Sequence, residues 1–270
     1  MDQLLQHLLN GLVLGGTYAL LGIGLTLIFG LMDVVNFAHG EFYSLGAYAT
    51  FAGLSLADLN FFAALGVAIV CGIALGALTE RVLLRPLRGH SIDTVMLVMI
   101  GVWISMQNGE LLLWGGVAKS IAHPFPTSPL TLGGLSLAPL RLFVLAAAIG
   151  LVVGAHLLVH MGVRIHRIYT ATFAIGSGLA AAAGALLGSV FIAYPSMGDL
   201  ASLKAFSVVI LGGLGNIGGA TVGGLVLGIA EELGAGYVSS GYRDAVGFVI
   251  IMAVLLVRPS GLFARAERVG

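Results

Sequence analysis

Charge is the scarcest property of this chain. Of 270 residues, 12 are lysine or arginine and 12 aspartate or glutamate, so charged types make up 9% against 59% hydrophobic. A soluble domain carries about 25% charged residues and needs them to cover its surface. That excludes an ordinary soluble fold and leaves lipid as the solvent. The formal net charge is zero, which provides no bulk basic face for nucleic acid. A single cysteine, Cys71, excludes an internal disulfide and reads as a small core residue in its apolar run. No Cys/His spacing suits a metal. Catalytic signatures are missing as well: there is no Gly-x-Ser-x-Gly, no His-Glu-x-x-His and no Walker-type phosphate loop. Ser177, between two glycines, reads as a packing residue. The chain is therefore read as a non-enzyme, with no catalytic residue, metal or cofactor of its own. Met1-Asp2-Gln3 lacks the basic start of a signal peptide, so the first apolar segment is expected to stay as a helix.

What the chain has is long apolar runs and glycine. A bilayer core of about 30 Å takes roughly 20 helical residues to cross. The apolar segments lie near 8–32, 42–57, 61–79, 94–114, 141–159, 168–194, 204–230 and 244–257. Lipid forces each segment to satisfy its own backbone, and no alternating strand pattern occurs, so all are read as helices. The fold class is all-α: a polytopic transmembrane helical bundle of about eight hydrophobic segments, forming a single domain over 1–270. Segments 42–57 and 244–257 are short for a crossing. The run Leu211-Gly212-Gly213-Leu214-Gly215-Asn216-Ile217-Gly218-Gly219 breaks another. Short and glycine-interrupted segments mark broken or re-entrant helices, so 204–213 and 217–233 are expected as two half-helices.

Basic residues near segment ends set orientation. Arg81, Arg85 and Arg88, then Arg164 and Arg167, then Arg258, Arg265 and Arg268 should all be cytoplasmic. Parity then requires the glycine-broken segment to turn back without a net crossing and puts the N-terminus outside. Gly72/Gly76, Gly150/Gly154, Gly184/Gly188 and Gly215/Gly219/Gly223 form small-residue stripes that pack helices within the chain or against a partner. Gly-Leu-Val-Leu-Gly occurs at 11–15 and again at 224–228, by chance or as a trace of repetition.

An ionisable group at mid-bilayer costs roughly 2.5–3.5 kcal/mol on insertion scales, so each invites a reason. The densest cluster is Asp33-Val34-Val35-Asn36-Phe37-Ala38-His39-Gly40-Glu41. One reading is a turn, with Asn36 capping the next helix and Glu41 in its first turn. The other has Asn36, His39, Gly40 and Glu41 lining a translocation path or its mouth, with Gly213, Gly215 and Asn216 at the break. Glu110 and His156 are expected to reach interfacial water. Glu231 and Glu232 end a helix, where the dipole disfavours them, and call for a charged partner. Arg243-Asp244 reads as a local ion pair at an outer interface.

Four stretches carry a family likeness. They are Asn10-Gly11-Leu12-Val13-Leu14-Gly15-Gly16-Thr17-Tyr18-Ala19-Leu20; Asn36-Phe37-Ala38-His39-Gly40-Glu41-Phe42-Tyr43; Lys204-Ala205-Phe206 with Leu211-Gly212-Gly213-Leu214-Gly215-Asn216; and Tyr242-Arg243-Asp244 with Arg258-Pro259-Ser260-Gly261-Leu262-Phe263. With Glu80-Arg81 and Arg85-Pro86-Leu87-Arg88, they resemble the H-type permease subunit of bacterial branched-chain amino-acid ABC importers. The resemblance implies a multi-pass protein of the inner membrane that carries leucine, isoleucine, valine or related small amino acids and amides. It also implies a second, M-type permease, two cytoplasmic ATPase subunits that bind the ATP, and a periplasmic binding protein. Arg85, Arg88, Arg164 and Arg167 become candidates for contact with the ATPases. One departure stands out. Family members carry a longer loop after the fifth segment, with a short helix that seats in the ATPase, whereas here His160 passes at once into Met161-Gly162-Val163-Arg164. A self-sufficient secondary transporter or channel is the alternative reading.

Overall fold

The computed structural model describes residues 2–32, 36–132, 135–160, 169–258 and 261–263. Its helices are α1 (Asp2–Met32), α2 (His39–Leu56), α3 (Phe61–Thr79), α4 (Ile92–Trp114), α5 (Pro139–His160), α6 (Tyr169–Val190), α7 (Met197–Gly212), α8 (Ile217–Tyr237) and α9 (Arg243–Val257). A π-helical turn, Glu80–Leu84, extends α3, and a 3-10 turn, Ser240–Tyr242, leads into α9. Between α4 and α5, β1 (Leu130–Leu132) pairs antiparallel with β2 (Leu135–Leu137). Three helix starts follow from local chemistry. Asn60 accepts from the Ala63 amide at 2.9 Å, Ser91 from Thr94 at 3.4 Å and Asn216 from Gly219 at 2.9 Å.

Among the described residues, seven helical stretches are long and apolar enough to cross a membrane, and the chain is a polytopic helical membrane protein. Helix α2, with 18 residues, is long enough but not apolar enough, having His39 and Glu41 in its first turn, and α7 has only 16 residues. Segment 244–257 forms the 15-residue α9, short by itself as expected, and the preceding 3-10 turn extends it into the 18-residue span Ser240–Val257. Helix α7 is a further short one, and it starts at Met197 rather than near 204. Its polar first turn, following Tyr194-Pro195-Ser196, reads as loop in sequence. Among the described residues the eight apolar segments form nine helices, the glycine break dividing 204–230 as expected, and α8 is a full-length helix rather than half of one. Gly212 packs on Gly219, and Gly223 on Val208, so α7 and α8 form an antiparallel pair without net crossing, as parity requires.

Helices α1 and α6 are buried along most of their length, whereas α3, α4, α5 and α9 turn large apolar side chains outward, as lipid-facing helices do. At 1.5 Å per residue, the 31 residues of α1 extend roughly 46 Å, half as long again as the bilayer core. Sidedness follows from the connections. Lys119 and Ala193 exchange both backbone hydrogen bonds, at 2.7 and 2.9 Å, so the stretches after α4 and after α6 share one face. At the other face, Gly30 meets Gly215, the Leu262 amide donates to the Leu211 carbonyl at 2.9 Å, and Thr170 donates to Glu80.

The tightest packing is glycine-mediated. The two Gly-Leu-Val-Leu-Gly pentapeptides are not copies within a duplicated unit; they face each other across the α1–α8 interface. A Cβ on Gly11 would stand 2.7 Å from the Ile229 Cα, and one on Gly15 2.7 Å from the Leu225 Cα. Repetition shows elsewhere, in reciprocal contacts. A Cβ on Gly24 would approach the Gly176 carbonyl to 2.6 Å, and one on Gly176 the Gly24 carbonyl to 2.7 Å. Gly40 and Gly198 oppose each other's carbonyls in the same way. The α1–α8 packing has its counterpart in α6–α3, and α1 meets α6 as α2 meets α7, so α1–α2–α3 and α6–α7–α8 pack as two like units running in opposite directions about an approximate two-fold axis, the pattern of an inverted repeat.

Of the glycine stripes, Gly72/Gly76 pack on α6, Gly184/Gly188 on α2 and Gly219/Gly223 on α7, while Gly150/Gly154 meet nothing within 4 Å. A side chain at Gly228 has no space beside Gly15 and Gly11. We expect Gly228→Leu to lower the unfolding temperature in detergent sharply, overpacking alone costing about 1–3 kcal/mol. Gly150→Ala should leave it unchanged, and a scan of both variants beside wild type tests the contrast.

Candidate translocation site

Helix α2 begins inside the bundle. His39 Nε2 donates to the carbonyl of Leu21, near the middle of α1, at 3.0 Å. The Gly40 amide donates to Ser202 Oγ at 2.9 Å, and that hydroxyl donates to the Phe37 carbonyl at 3.2 Å. The first turn of α2 is thus bonded to α1 and α7. Asn36 does not cap it: the N-cap position is Ala38, without a side-chain bond, and Asn36 Oδ1 instead accepts from the Ala38 amide at 3.1 Å. That is an Asx turn, which shapes the backbone just ahead of the helix. Asn36, His39 and Glu41 are each 0% exposed.

Helix α7 starts at the same place from the other direction. Gly198 lies against Gly40 and the Glu41 carboxylate, so the two short helices meet at their N-termini around the two-fold axis. Each carries a carboxylate in its first turn, Glu41 and Asp199, where the helix dipole favours it. Trp103 Nε1 donates to Asp199 at 2.9 Å and Gln107 Nε2 at 2.9 and 3.0 Å, while Glu41, beside the same Trp103, has no donor at full hydrogen-bond geometry among the described residues. Glu110 belongs to the same region. Rather than reaching interfacial water it is buried and accepts from Ser44, because α4 turns this residue toward α2. His156 is half-buried and bonded to the Val152 carbonyl at 3.0 Å.

Beside the crossing lies a cavity of about 310 Å³, formed where residues 191–196 lead from α6 into α7. Tyr18, Tyr43, Tyr194, Met197, Lys204, Arg243 and Asp244 are among the residues that line it. Lys204, 2% exposed, forms ion pairs with Glu231 and, at 2.9 Å, with Asp244. Tyr18 Oη donates to Glu231 at 3.0 Å. Arg243 pairs with Glu232 at 2.8 Å, and Asn10 Nδ2 donates to Glu232 at 3.2 Å. Glu231 and Glu232 therefore find their cationic partners. Arg243 and Asp244 do not pair with each other; each reaches a different neighbour on α7 or α8. Sequence reasoning missed this site, since Lys204 and Tyr18 stood out only within family-like stretches.

The glycine break is a separate feature at one end of the bundle. Gly213 and Gly215 have φ of +96° and +75°, which side chains resist, and Asn216 caps α8 while donating to the Phe263 carbonyl at 2.7 Å. Gly215 abuts Gly30, nine residues along α1 from the Leu21 that His39 touches, so Gly213, Gly215 and Asn216 do not join Asn36, His39, Gly40 and Glu41. At the same end, Arg88 pairs with the buried Glu80 and lies 4.2 Å over the Tyr169 ring, and Arg81, Arg85 and Arg88 are all exposed. Arg164 and Arg167 lie outside the described residues.

A family model described as branched-chain amino acid transport system / permease component matches residues 7–160 and 157–255. The chain belongs to this family. It is 34% identical to the high-affinity branched-chain amino acid transport system permease protein BraD of Pseudomonas aeruginosa, over 97% of this chain and 96% of the relative. It is 35% identical to the corresponding LivH of Escherichia coli K12 over the same shares. The probable branched-chain amino acid transport permease protein LivH of Methanocaldococcus jannaschii is 25% identical over 94% of this chain. No solved structure matches. The chain is thus a multi-pass transport permease of the cell membrane. The alignments with the first two relatives run over 296 and 298 residues, whereas 97% of 270 is about 262, so about 35 of their positions have no counterpart here. The two matched stretches meet at 157–160, which sets the missing length at the shortened loop after α5.

In this permease, Gly213→Leu should reduce transport strongly, since a side chain in that backbone region costs of order 1–3 kcal/mol. Gly218→Ala, which approaches only the Asn216 side chain at 3.4 Å, should transport as wild type. Uptake assays on matched expression levels compare them, and normal uptake by Gly213→Leu would remove the break from the mechanism.

Proposed function

We propose that this permease is the H-type membrane subunit of an ABC importer for leucine, isoleucine and valine in the inner membrane. It works beside an M-type permease, two ATPase subunits that bind ATP, and a periplasmic binding protein. The observation that carries this reading is likeness, along nearly the whole chain, to two permeases named for high-affinity branched-chain amino acid transport. The translocation path runs past the crossing of α2 and α7. Asn36, His39, Gly40 and Glu41 line it there, and Gly213, Gly215 and Asn216 keep the inner end of α7–α8 in register with α1. Alternation between outward and inward access suits an inverted repeat whose two short helices meet near the middle.

Coupling to the ATPases rests on the cytoplasmic arginines. With Arg88 tied to Glu80, the exposed Arg81 and Arg85 are the freer partners, and Arg164 and Arg167 flank the shortened loop. One observation favours the second reading, an ion-coupled transporter that works alone: Glu41, Glu110 and Asp199 gather inside the bundle, where ion coupling needs carboxylates. A single experiment separates the two. The chain is co-purified with its ATPase subunits, both as it stands and with a loop of family length restored between His160 and Met161, and ATP hydrolysis and leucine uptake are measured. We expect binding and hydrolysis with the restored loop, and a weaker Arg85→Glu variant if the 81–93 stretch contributes. Leucine uptake by the chain alone, driven by an ion gradient, would overturn the ABC reading.

A further inference from the structure

The cavity at the α6–α7 connection holds more charge than a passive conduit needs. A pore lined by apolar and hydroxyl groups would pass a small solute without charges of both signs fixed in its wall. Here Lys204, Arg243 and Asp244 converge on a volume of about 310 Å³, at the small-ligand end of the range for binding pockets.

We propose that this cavity binds a free α-amino acid as its zwitterion, with the carboxylate on Lys204 and Arg243, the ammonium on Asp244, and the side chain among Leu187, Met197 and Leu200. This rests on the reading of the chain as an amino-acid permease and assigns a site within it. Four observations support the assignment. Both signs of charge line the same space, and the Lys204–Asp244 pair, at 2.9 Å, already shows what each end would exchange. A zwitterion entering between them replaces one ion pair by two and leaves no charge unpaired, which is the condition for placing charges away from water. A simple anion would leave Asp244 facing it, and a simple amine would leave the cations facing it.

The second observation is depth. The side chains of Lys204, Arg243 and Asp244 are 3%, 30% and 47% exposed, so Lys204 meets the ligand's carboxylate at the floor and Asp244 its ammonium at the rim. The third is an uncommitted donor. Arg243 Nε is buried without a partner although Nη2 is held by Glu232, so the guanidinium is fixed in place with its Nε–H unused. The fourth is support from behind. Glu231, fully buried, accepts from both Lys204 and Tyr18, and so holds the ammonium at the floor when Asp244 turns to a ligand. The apolar wall supplied by Leu14, Leu21, Leu187, Met197 and Leu200 suits an aliphatic side chain. A site built to hydrogen-bond both charged ends rejects analogues that lack one of them, because a buried partner is then left unpaired.

The test uses the assembled transporter in membrane vesicles. Ile192, half-exposed and part of the cavity lining, is replaced by cysteine in a Cys71→Ala background, and the rate of labelling by a small thiosulfonate reagent is followed. Leucine is expected to slow labelling several-fold. Leucinamide, which lacks the carboxylate, and 4-methylpentanoate, which lacks the ammonium, should leave it unchanged. Adding Asp244→Asn should abolish protection by leucine. Leu200→Cys serves as the second reporter should Ile192→Cys fail to assemble. Absence of protection by leucine at both reporters, or equal protection by all three compounds, overturns the proposal. Leucine uptake by wild-type complexes is read in parallel. Uptake without protection removes this site and leaves the amino-acid permease standing, whereas protection without uptake keeps the site and removes the proposed transport.

Discussion

Everything in this bundle depends on how closely backbones can approach in lipid. Apolar side chains gain nothing by leaving hydrocarbon for one another, so helices associate through contact and hydrogen bonding instead. Two of the many close glycine contacts set the geometry of the site: Gly24 with Gly176, and Gly40 with Gly198. The first locks the central helices α1 and α6 together. The second sets the starts of α2 and α7 against each other, and that contact gives the chain two helix N-termini in its interior. Through it, the carboxylates of Glu41 and Asp199, each in the first turn of its own helix, come together inside the bundle, beside the cavity that Met197 lines.

Much of this was legible in residues. Scarcity of charge, apolar segments of spanning length and the arginine clusters yield the helical bundle and its sidedness, because lipid leaves few alternatives. The break at 211–219 was legible too, since a run of glycines around Asn216 does what only glycine and a capping residue do. Helix α7 was hidden, because Gly198 and Asp199 in its first turn are small or polar for a tertiary reason. It packs on Gly40 and Glu41, some 157 residues earlier in sequence, and no local periodicity reports that.

The candidate site divides along the same line. Asn36, His39, Gly40 and Glu41 declared themselves as polar residues between apolar segments. Lys204 did not, although it is only 2% exposed, because its partners Glu231 and Asp244 come from α8 and α9. The pairing of Arg243 with Asp244 was a natural error of proximity. Adjacent residues at a helix start point to different sides, and each found its own neighbour.

The paired strand at Lys119 and Ala193 works as a mechanical joint. Two hydrogen bonds side by side resist rotation as well as separation, so the outer connection after α4 and the return toward α7 move together. Ala193 is followed immediately by Tyr194 in the cavity wall. Anything that grips the outer loop therefore holds a short lever on the cavity, with a single residue between handle and load.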